Sequence, residues 1–279
     1  MSKTIAVVAP GNMGAAVGAR LVGRGACVIT SLVGRSEASM ARARAAGMKP
    51  ASDEELAAAD IFLSIVPPDQ AAALAARMAA CCRASGSKIV FIDLNAISPA
   101  TAGEVGGILK ASGAVFVDGG IIGAPPKGES AGPTFYLSGP VDGSVEILTH
   151  YGLAARALEG GIGAASALKM SYAGVTKGLI ALGAGMILAA ERAGVDGALQ
   201  AELGVSQPDL LARLSRSIPD MLPKAYRWVP EMQEISNFVG TDRPESGVYQ
   251  AMADFYRLIA NDQERERAPA SILKRFFKI

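Results

Sequence analysis

The chain has 279 residues, of which 50% are hydrophobic and 19% are charged, which excludes a disordered or solvating chain. At about 150 residues per domain, this length predicts two domains or one large one. The 27 basic and 26 acidic residues give a net charge of +1. Such a balance excludes a global charge that would recruit nucleic acid or an anionic membrane.

The cysteine and histidine content restricts the chemistry further. Cys27, Cys81 and Cys82 are too few for a disulfide scaffold, and their scarcity predicts a reducing, cytoplasmic location. The single histidine, His150, argues against a histidine-based metal site or a Ser–His–Asp triad. We therefore expect no metal, and we interpret His150 as structural. The most membrane-like stretch, residues 174–190, contains Lys177 and is interpreted as a buried helix of a soluble protein.

Short apolar strands alternate with helical stretches in the first half of the chain. Near-continuous apolar strands separated by helices predict an α/β fold, with a doubly wound parallel sheet covered on both faces. A long glycine- and proline-rich loop is predicted over residues 119–133. The predicted strands cover residues 4–8, 27–33, 61–66, 88–92, 115–118 and 134–138, and the predicted helices cover 12–24, 36–46, 70–83, 99–111 and a segment that ends at residue 150.

The pattern changes at the glycine cluster of residues 160–163. Strand-like runs disappear after it, and a long helical pattern extends over residues 164–193, followed by further helical pieces. We place the domain boundary there. Residues 1–160 are predicted to form an α/β domain, and residues 161–279 an all-helical domain.

A glycine turn between the first strand and the first helix predicts a dinucleotide site. The turn reads Ala9-Pro10-Gly11-Asn12-Met13-Gly14, a G-x-G-x-x-G pattern with alanine at its first position. Gly11 lets the backbone approach the pyrophosphate, Gly14 lets the helix pack closely on the strand, and the free N–H groups of Asn12 and Met13 face the anion. The alternative is a purely structural turn.

The end of the second strand indicates which dinucleotide binds. NAD-binding proteins place a carboxylate there for the ribose 2′-hydroxyl, but this chain has no acidic residue before Glu37. Arg35 and Ser36 stand there instead and suit a 2′-phosphate, so NADP(H) is favoured over NAD(H). The alternative is that Arg35 is a solvated surface residue and that Ser36 only caps the next helix.

Several segments together resemble the β-hydroxyacid dehydrogenases and 6-phosphogluconate dehydrogenase. The last third of the chain resembles a poorly characterised helical domain of one subgroup of that superfamily, and the imine reductases are more distant relatives. The resemblance implies a Rossmann domain, an all-helical C-terminal domain and a homodimer with active sites between the domains. It is carried by residues 10–14, Ser64-Ile-Val-Pro-Pro68, Asp93-Leu-Asn-Ala-Ile-Ser-Pro99, Asp118-Gly-Gly-Ile-Ile-Gly-Ala124, Gly163-Ala-Ala-Ser-Ala-Leu-Lys169 and Trp228-Val-Pro-Glu-Met-Gln-Glu-Ile235.

The same resemblance implies roles for individual residues. Val66 and Pro67 would line the nicotinamide pocket, and the loop from Asn95 to Ser98 would flank nicotinamide and substrate. Lys169 matches the catalytic lysine of the family. A lysine beside the substrate can give a proton to a developing alkoxide or take one from an alcohol, while hydride transfer belongs to the nicotinamide.

Two departures from the family pattern bear on the substrate. Ala173 stands where the family has an asparagine, and Ile122 stands where its substrate loop has a serine. The absence of both polar groups favours a substrate that is bulkier or less polar than a short β-hydroxyacid. Tyr172 either supplies the missing hydrogen bond or packs in the core. The candidate substrate residues are Ser98, Ile122, Gly123, Tyr172, Ala173 and Thr176.

Three functional hypotheses follow. The first is an NADP(H)-preferring oxidoreductase that interconverts a carbonyl and an alcohol, with Lys169 as general acid and base. The second is an imine reductase, against which the lysine counts, and the third is a non-catalytic NADPH-binding sensor. We also expect the small residues Gly174, Gly178, Ala181 and Gly185 to pack against a partner helix in a dimer.

Overall fold

A computed structural model of the chain describes residues 2–128, 130, 132–261 and 268–278. It divides into two compact units, Met1–Met170 and Ser171–Ile279. The division falls within the long helix that follows the glycine cluster, ten residues beyond the boundary that the sequence suggested. Each unit is described by itself below.

The first unit is an eight-stranded sheet with helices between the strands. Its strands are β1 (Thr4–Val8), β2 (Cys27–Thr30), β3 (Lys49–Pro50), β4 (Ile61–Ser64), β5 (Val90–Asp93), β6 (Val115–Ile122), β7 (Thr134–Ser138) and β8 (Ala154–Ala157). Its helices are α1 (Asn12–Gly23), α2 (Glu37–Ala45), α3 (Asp53–Ala57), α4 (Ala71–Ser85), α5 (Pro99–Lys110) and α6 (Ser144–His150), and α7 (Ala164–Arg192) begins in this unit.

The strand order is β3-β2-β1-β4-β5-β6-β7-β8. The first six strands run parallel, in the doubly wound Rossmann order, while β7 is antiparallel to β6 and β8 is parallel to β7. Two hydrophobic clusters cover the two faces, one around Val7, Val17 and Leu21 and the other around Phe62 and Phe91. The predicted α/β fold with helices on both faces is confirmed.

One predicted loop is wrong in its first part. Strand β6 does not end at Asp118 but continues through Gly119 and Gly120 to Ile122, where it pairs with Thr134 of β7. The sequence suggested a loop because glycine weakens a strand. Here a Cβ on Gly120 would lie 3.0 Å from the Ala165 carbonyl oxygen and from the Lys169 Cβ, so the strand needs glycine to let α7 approach. The short elements β3, α3 and β8 were also missed.

The second unit contains the rest of α7 and five further helices, α8 (Asp196–Ser206), α9 (Pro208–Met221), α10 (Ala225–Val239), α11 (Pro244–Asn261) and α12 (Pro269–Phe276). Helices α10 and α11 pack against each other. Helix α7 is long and apolar enough to cross a membrane by length and composition. That is weak evidence, because the core helix of a soluble protein passes the same test, and 44% of its most apolar window is buried.

Two of the four small residues expected to face a partner helix, Gly174 and Gly178, pack within the chain instead. A Cβ on Gly174 would lie 2.9 Å from the Tyr249 hydroxyl, and one on Gly178 would lie 3.5 Å from the sulfur of Met252. Both neighbours belong to α11 of the same unit. The absence of a side chain at these positions therefore serves the packing of α7 against α11.

A polar group is buried at the centre of the second unit, and we call it the Lys177 cluster. It consists of Lys177, Glu231, Trp228 and Tyr256. Lys177 Nζ forms an ion pair with Glu231 and lies 4.8 Å from the centroid of the Trp228 ring. The Tyr256 hydroxyl donates a 2.6 Å hydrogen bond to the Lys177 carbonyl oxygen. Burial, reinforced by the charge of Glu231, raises the pKa of Tyr256 well above its ordinary value.

Candidate cofactor and active site

The turn after β1 has the geometry of a phosphate cradle. A Cβ on Gly14 would lie 2.0 Å from the Ala9 carbonyl oxygen, so only glycine lets α1 begin this close to the strand. At Gly11 a Cβ would meet nothing within 4 Å, so the space in front of the helix is open. Helix α1 has no side-chain cap at its first residue. Its leading N–H groups, including those of Asn12 and Met13, are thus available to an anion.

This turn lies at the point where the strand order reverses. Strand β1 pairs with β2 on one side and with β4 on the other. The segments that follow β1 and β4 are joined by a hydrogen bond from Ala9 N to the Ile65 carbonyl oxygen, 3.1 Å long. In open α/β sheets, ligands bind in the crevice at this position, outside the carboxyl ends of the strands.

A cluster of cationic and hydroxyl groups follows β2. Arg35 is half-buried, and its Nε is enclosed without a hydrogen-bond partner among the described residues. Burial lowers the pKa of the Arg35 guanidinium, and the positive charge of Arg77 lowers it further. Arg77 is paired with Asp53 (Nε to Oδ2, 3.2 Å), whereas the enclosed Arg35 Nε has no acceptor among the described residues and suits an anion.

Ser36, Ser39 and Arg42 follow Arg35 at the start of α2, and the sequence interpretation missed the last two. The Ser36 hydroxyl caps α2 by accepting from Ser39 N. Arg42 donates from Nε to the Pro10 carbonyl oxygen (3.3 Å) and from Nη2 to the Ser39 hydroxyl (2.8 Å). Arg42 thereby joins α2 to the glycine turn. The i, i+3, i+6 spacing of Ser36, Ser39 and Arg42 on one helix was a signal that could have identified it.

The segment after β4 is held by a buried amide. Asn95 is 2% exposed, and its Oδ1 accepts from Val66 N at 2.6 Å. Its Nδ2 donates to the Ser64 hydroxyl and to Asp93 Oδ2, each at 2.8 Å, and its own N–H donates to Asp93 Oδ1. The Asn95 side chain therefore fixes the backbone that leads to Pro67, which places Asn95 as a support for the predicted nicotinamide pocket.

Four buried polar residues form a line across neighbouring strands, which we call the strand-end row. Ser64 pairs in register with Asp93, Asp93 with Asp118, and Asp118 with Ser138, and each is at most 1% exposed. Burial raises the pKa of Asp93 from 3.8 to about 7, and the charge of Asp118 contributes in the same direction. The row marks the carboxyl ends of β4 and β5, and β6 continues four residues beyond it to Ile122.

Lys169 lies next to this edge. It occupies the second turn of α7, its Cβ is adjacent to Gly120 of β6, and its side chain is half-buried. It belongs to the same compact unit as the sheet. Gly120 thus lets α7 bring a lysine to the edge of the sheet where the glycine turn and the Val66 segment also lie.

The candidate substrate residues are not all in comparable positions. Ser98 is 1% exposed and caps α5 by accepting from Thr101 N. Ile122 is half-buried at the end of β6, and Gly123 adopts a φ of 128°, beside Pro133. In the second unit, all on α7, Ala173 is 1% exposed, Tyr172 is 48% exposed, and the Thr176 hydroxyl donates to the Tyr172 carbonyl oxygen. The exposure of Tyr172 excludes a core-packing role within the isolated chain.

The fold and the glycine turn define a Rossmann-type dinucleotide-binding protein. Residues 4–150 match the NAD binding domain of 6-phosphogluconate dehydrogenase, and the chain belongs to that family. Residues 190–259 match a domain of unknown function, DUF1932. Among curated proteins, no sequence matches the chain.

Solved structures share the fold over nearly the whole chain. A conserved hypothetical protein from Sinorhizobium meliloti 1021 is 25% identical, with a TM-score of 0.69, and the match covers 99% of this chain and 97% of that one. The 3-hydroxyisobutyrate dehydrogenase of Mycobacterium tuberculosis, solved with L-serine, is 21% identical, with a TM-score of 0.71 and 99% coverage of both chains. An imine reductase from Myxococcus stipitatus, solved with NADP+, is 18% identical, with a TM-score of 0.54 and 99% coverage of both.

Proposed function

We propose that this chain is an NADP(H)-preferring oxidoreductase that interconverts a carbonyl and an alcohol, with Lys169 as the general acid and base. The observation that carries the proposal is the position of Lys169. Its Cβ lies against Gly120 at the carboxyl edge of a dinucleotide-binding sheet, and its side chain is half-buried. A half-buried amine at that edge suits proton transfer to a substrate in the crevice.

The residues that would hold the cofactor are present. The N–H groups of Asn12, Met13 and Gly14 suit the pyrophosphate, and Gly11, whose own N–H donates to the Ala9 carbonyl oxygen, leaves room for it. Val66 and Pro67 suit the nicotinamide. The Arg35 cluster, with Ser36, Ser39 and Arg42, suits a 2′-phosphate, because the enclosed Arg35 Nε lacks an acceptor among the described residues. When bound, the nicotinamide supplies or accepts the hydride.

Lys169 performs the proton step. As the carbonyl is reduced, Nζ gives a proton to the oxygen that becomes an alkoxide, and in the reverse direction it takes the proton of the alcohol. Ile122 and Ala173 provide no hydrogen bond for a carboxylate at the positions where the family has polar groups. We therefore propose a hydroxy compound that is bulkier or less polar than a short β-hydroxyacid.

The test is a substrate screen that follows NADPH consumption with aldehydes, ketones, keto acids and cyclic imines in parallel. For the best substrate, Lys169→Ala is expected to lower turnover by roughly 10²–10⁴-fold and to leave NADPH affinity unchanged. Lys169→Arg is not expected to restore turnover, since guanidinium keeps its proton. Equal turnover for parent and Lys169→Ala proteins at saturating NADPH would refute the proposed role. Turnover of cyclic imines alone would favour the imine reductase.

We also propose that the protein is a cytoplasmic homodimer. All three cysteines are free thiols, which suits a reducing compartment. Helix α7 exposes a stripe of large apolar residues, with Tyr172 at 48%, Val175 at 70%, Leu182 at 59% and Met186 at 56%. They follow one another at intervals of 3, 7 and 4 residues, which places them on one face of the helix. A second copy of the stripe is the proposed occupant, because the pattern is self-complementary.

Light scattering tests the dimer. The parent is expected to have twice the monomer mass at micromolar concentrations, and Val175→Glu with Leu182→Glu is expected to halve it. Val205→Glu, at an 84% exposed position on α8, is the matched control. A monomer mass for the parent would exclude the dimer.

A further inference from the structure

The carboxylate of Asp118, on strand β6, forms hydrogen bonds with the start of α7. This side chain is fully buried, and its Oδ2 accepts from the backbone N–H groups of Gly163 (2.9 Å) and Ser166 (3.1 Å). Its Oδ1 accepts from the Ser166 hydroxyl at 2.6 Å. A carboxylate at this position satisfies N–H groups that have no partner inside the helix and complements the positive end of the helix dipole.

Ser138 makes a second attachment from the neighbouring strand. Its hydroxyl donates to Asp118 Oδ2 at 3.0 Å and accepts from Ala165 N at 3.0 Å. Asp118 and Ser138 are paired in register on β6 and β7. The first turn of α7 is therefore bound to two adjacent strands through three of its N–H groups.

These bonds determine where Lys169 stands. Ser166 precedes Lys169 by one helical turn, and the Lys169 Cβ lies against Gly120, two residues beyond Asp118 on the same strand. The hydrogen bonds to Asp118 and Ser138 and the contact with Gly120 together hold α7 in position. The helix can neither slide along β6 nor rotate about its axis without breaking a buried hydrogen bond. Such a bond is costly to leave unmade in a buried site.

We infer that Asp118, with Ser138, is a positioning residue for Lys169 that fixes the lysine at the carboxyl edge of the sheet by capping α7. This inference rests on the proposed role of Lys169. This role differs from substrate binding, because the Asp118 carboxylate is buried and accepts all four of its hydrogen bonds from groups of the protein itself. A displacement of about 1 Å of a catalytic group is enough to lower a rate by two orders of magnitude.

The experiment compares Asp118→Ala, Asp118→Asn and Ser138→Ala with the parent, using the best substrate of the NADPH screen. Asp118→Ala is expected to lower turnover per NADPH-binding site at least tenfold, while the NADPH Kd and the substrate KM stay within twofold. Asp118→Asn keeps one oxygen for the two N–H groups and is expected to recover part of the loss. A merely structural role would reduce the number of sites that bind NADPH, not the turnover of each site.

Two readouts need no substrate. Hydrogen exchange at the amides of Gly163 and Ser166 is expected to accelerate in Asp118→Ala. Acetylation of Lys169 by acetic anhydride, followed by mass spectrometry, is expected to become several-fold faster, with Lys110 as the internal reference. Ser52→Ala is the matched control, because Ser52 caps α3 through Glu55 N and the change removes a helix cap without touching α7.

The outcomes separate this inference from the proposed function. If Lys169→Ala is inactive but the Asp118 and Ser138 variants keep full turnover and parent-like Lys169 acetylation, the positioning role is wrong and the proposed function stands. If Lys169→Ala retains full turnover, the proposed function itself fails. Should Asp118→Ala not fold, Asp118→Asn and Ser138→Ala decide by the same measurements.

Discussion

The two compact units bury polar side chains in opposite ways. The strand-end row of the first unit contains two acidic side chains, Asp93 and Asp118, which accept hydrogen bonds from N–H and hydroxyl groups. The Lys177 cluster of the second unit instead pairs a carboxylate with an ammonium group and covers the ammonium with an aromatic ring. The hydrogen bonds of the strand-end row hold backbone segments in position, whereas the Lys177 cluster pairs opposite charges on two helices.

The difference shows what each arrangement is suited to. A carboxylate that accepts from backbone N–H groups fixes the position of a segment to within a few tenths of an ångström, as the site around Val66 and Lys169 requires. A buried ion pair holds two helices together, but its net contribution to stability depends on both partners being present. Function is therefore expected to depend on the row, and the stability of the second unit on the cluster.

The largest expected effect is on the second unit. Glu231→Ala leaves the ammonium of Lys177, whose side chain is 18% exposed, without its carboxylate. We expect a loss of about 3–5 kcal/mol in the free energy of unfolding. The single tryptophan, Trp228, lies in the cluster, so its fluorescence in a urea titration reports the unfolding of this unit.

The control for this change is Asp220→Ala. Asp220 pairs with Lys224, but both side chains are exposed, so the expected loss is at most about 1 kcal/mol. Similar losses for the two variants would contradict the distinction between a buried pair and an exposed one.

A smaller effect is expected from the strand-end row, and it depends on pH. Because the pKa of Asp93 is raised from 3.8 to about 7, the folded protein holds this proton more tightly than the unfolded chain. Stability from this group is present in full below pH 4 and is lost as the pH rises to 7 and above. The expected loss across this range is roughly 2–4 kcal/mol.

Urea titrations of the parent and of Asp93→Asn at pH values from 5 to 8 test this dependence. The variant cannot ionise at position 93, so its unfolding free energy is expected to fall less with pH than that of the parent. Parallel pH curves for the two proteins would show that Asp93 does not titrate in this range.

The smallest expected effect is on cofactor affinity. Arg35→Ala is expected to weaken NADPH binding by about 1–3 kcal/mol, the scale of a charge-assisted hydrogen bond, and to leave NADH binding unchanged. Arg44→Ala, at an exposed position of α2 itself, serves as the control and is expected to change neither affinity. Calorimetric titration measures both cofactors, and equal affinities in the parent would refute the NADP(H) preference.

The two units also differ in how much of their structure could be predicted from the sequence. In the first unit each buried strand is a short apolar run bounded by turn residues, so strands and their parallel order followed from local pattern. Ser64 and Asp93 could then be expected at one edge, because they end neighbouring parallel strands. The continuation of β6 could not be predicted, since Gly119 and Gly120 have the composition of a loop and their use in the sheet depends on α7.

The second unit offered no comparable signal. Lys177 and Glu231 are 54 residues apart, and each is an ordinary charged residue on a helix until the helices pack. Gly174 and Gly178 gave the right inference of close helix packing, but the wrong partner, because periodicity shows that a face is contacted and not by what. Lys169 was identified through family resemblance alone, since a single lysine near the start of a helix is common on protein surfaces.

The edge of the sheet at β3 affects how the folded chain behaves at high concentration. This strand is only two residues long, Lys49 and Pro50, and both are exposed. Proline has no N–H to offer to an incoming strand, and the adjacent lysine places a charge where a second sheet would have to approach. An edge of this composition cannot template strand addition, so the sheet is protected at β3 against growth into larger β-aggregates.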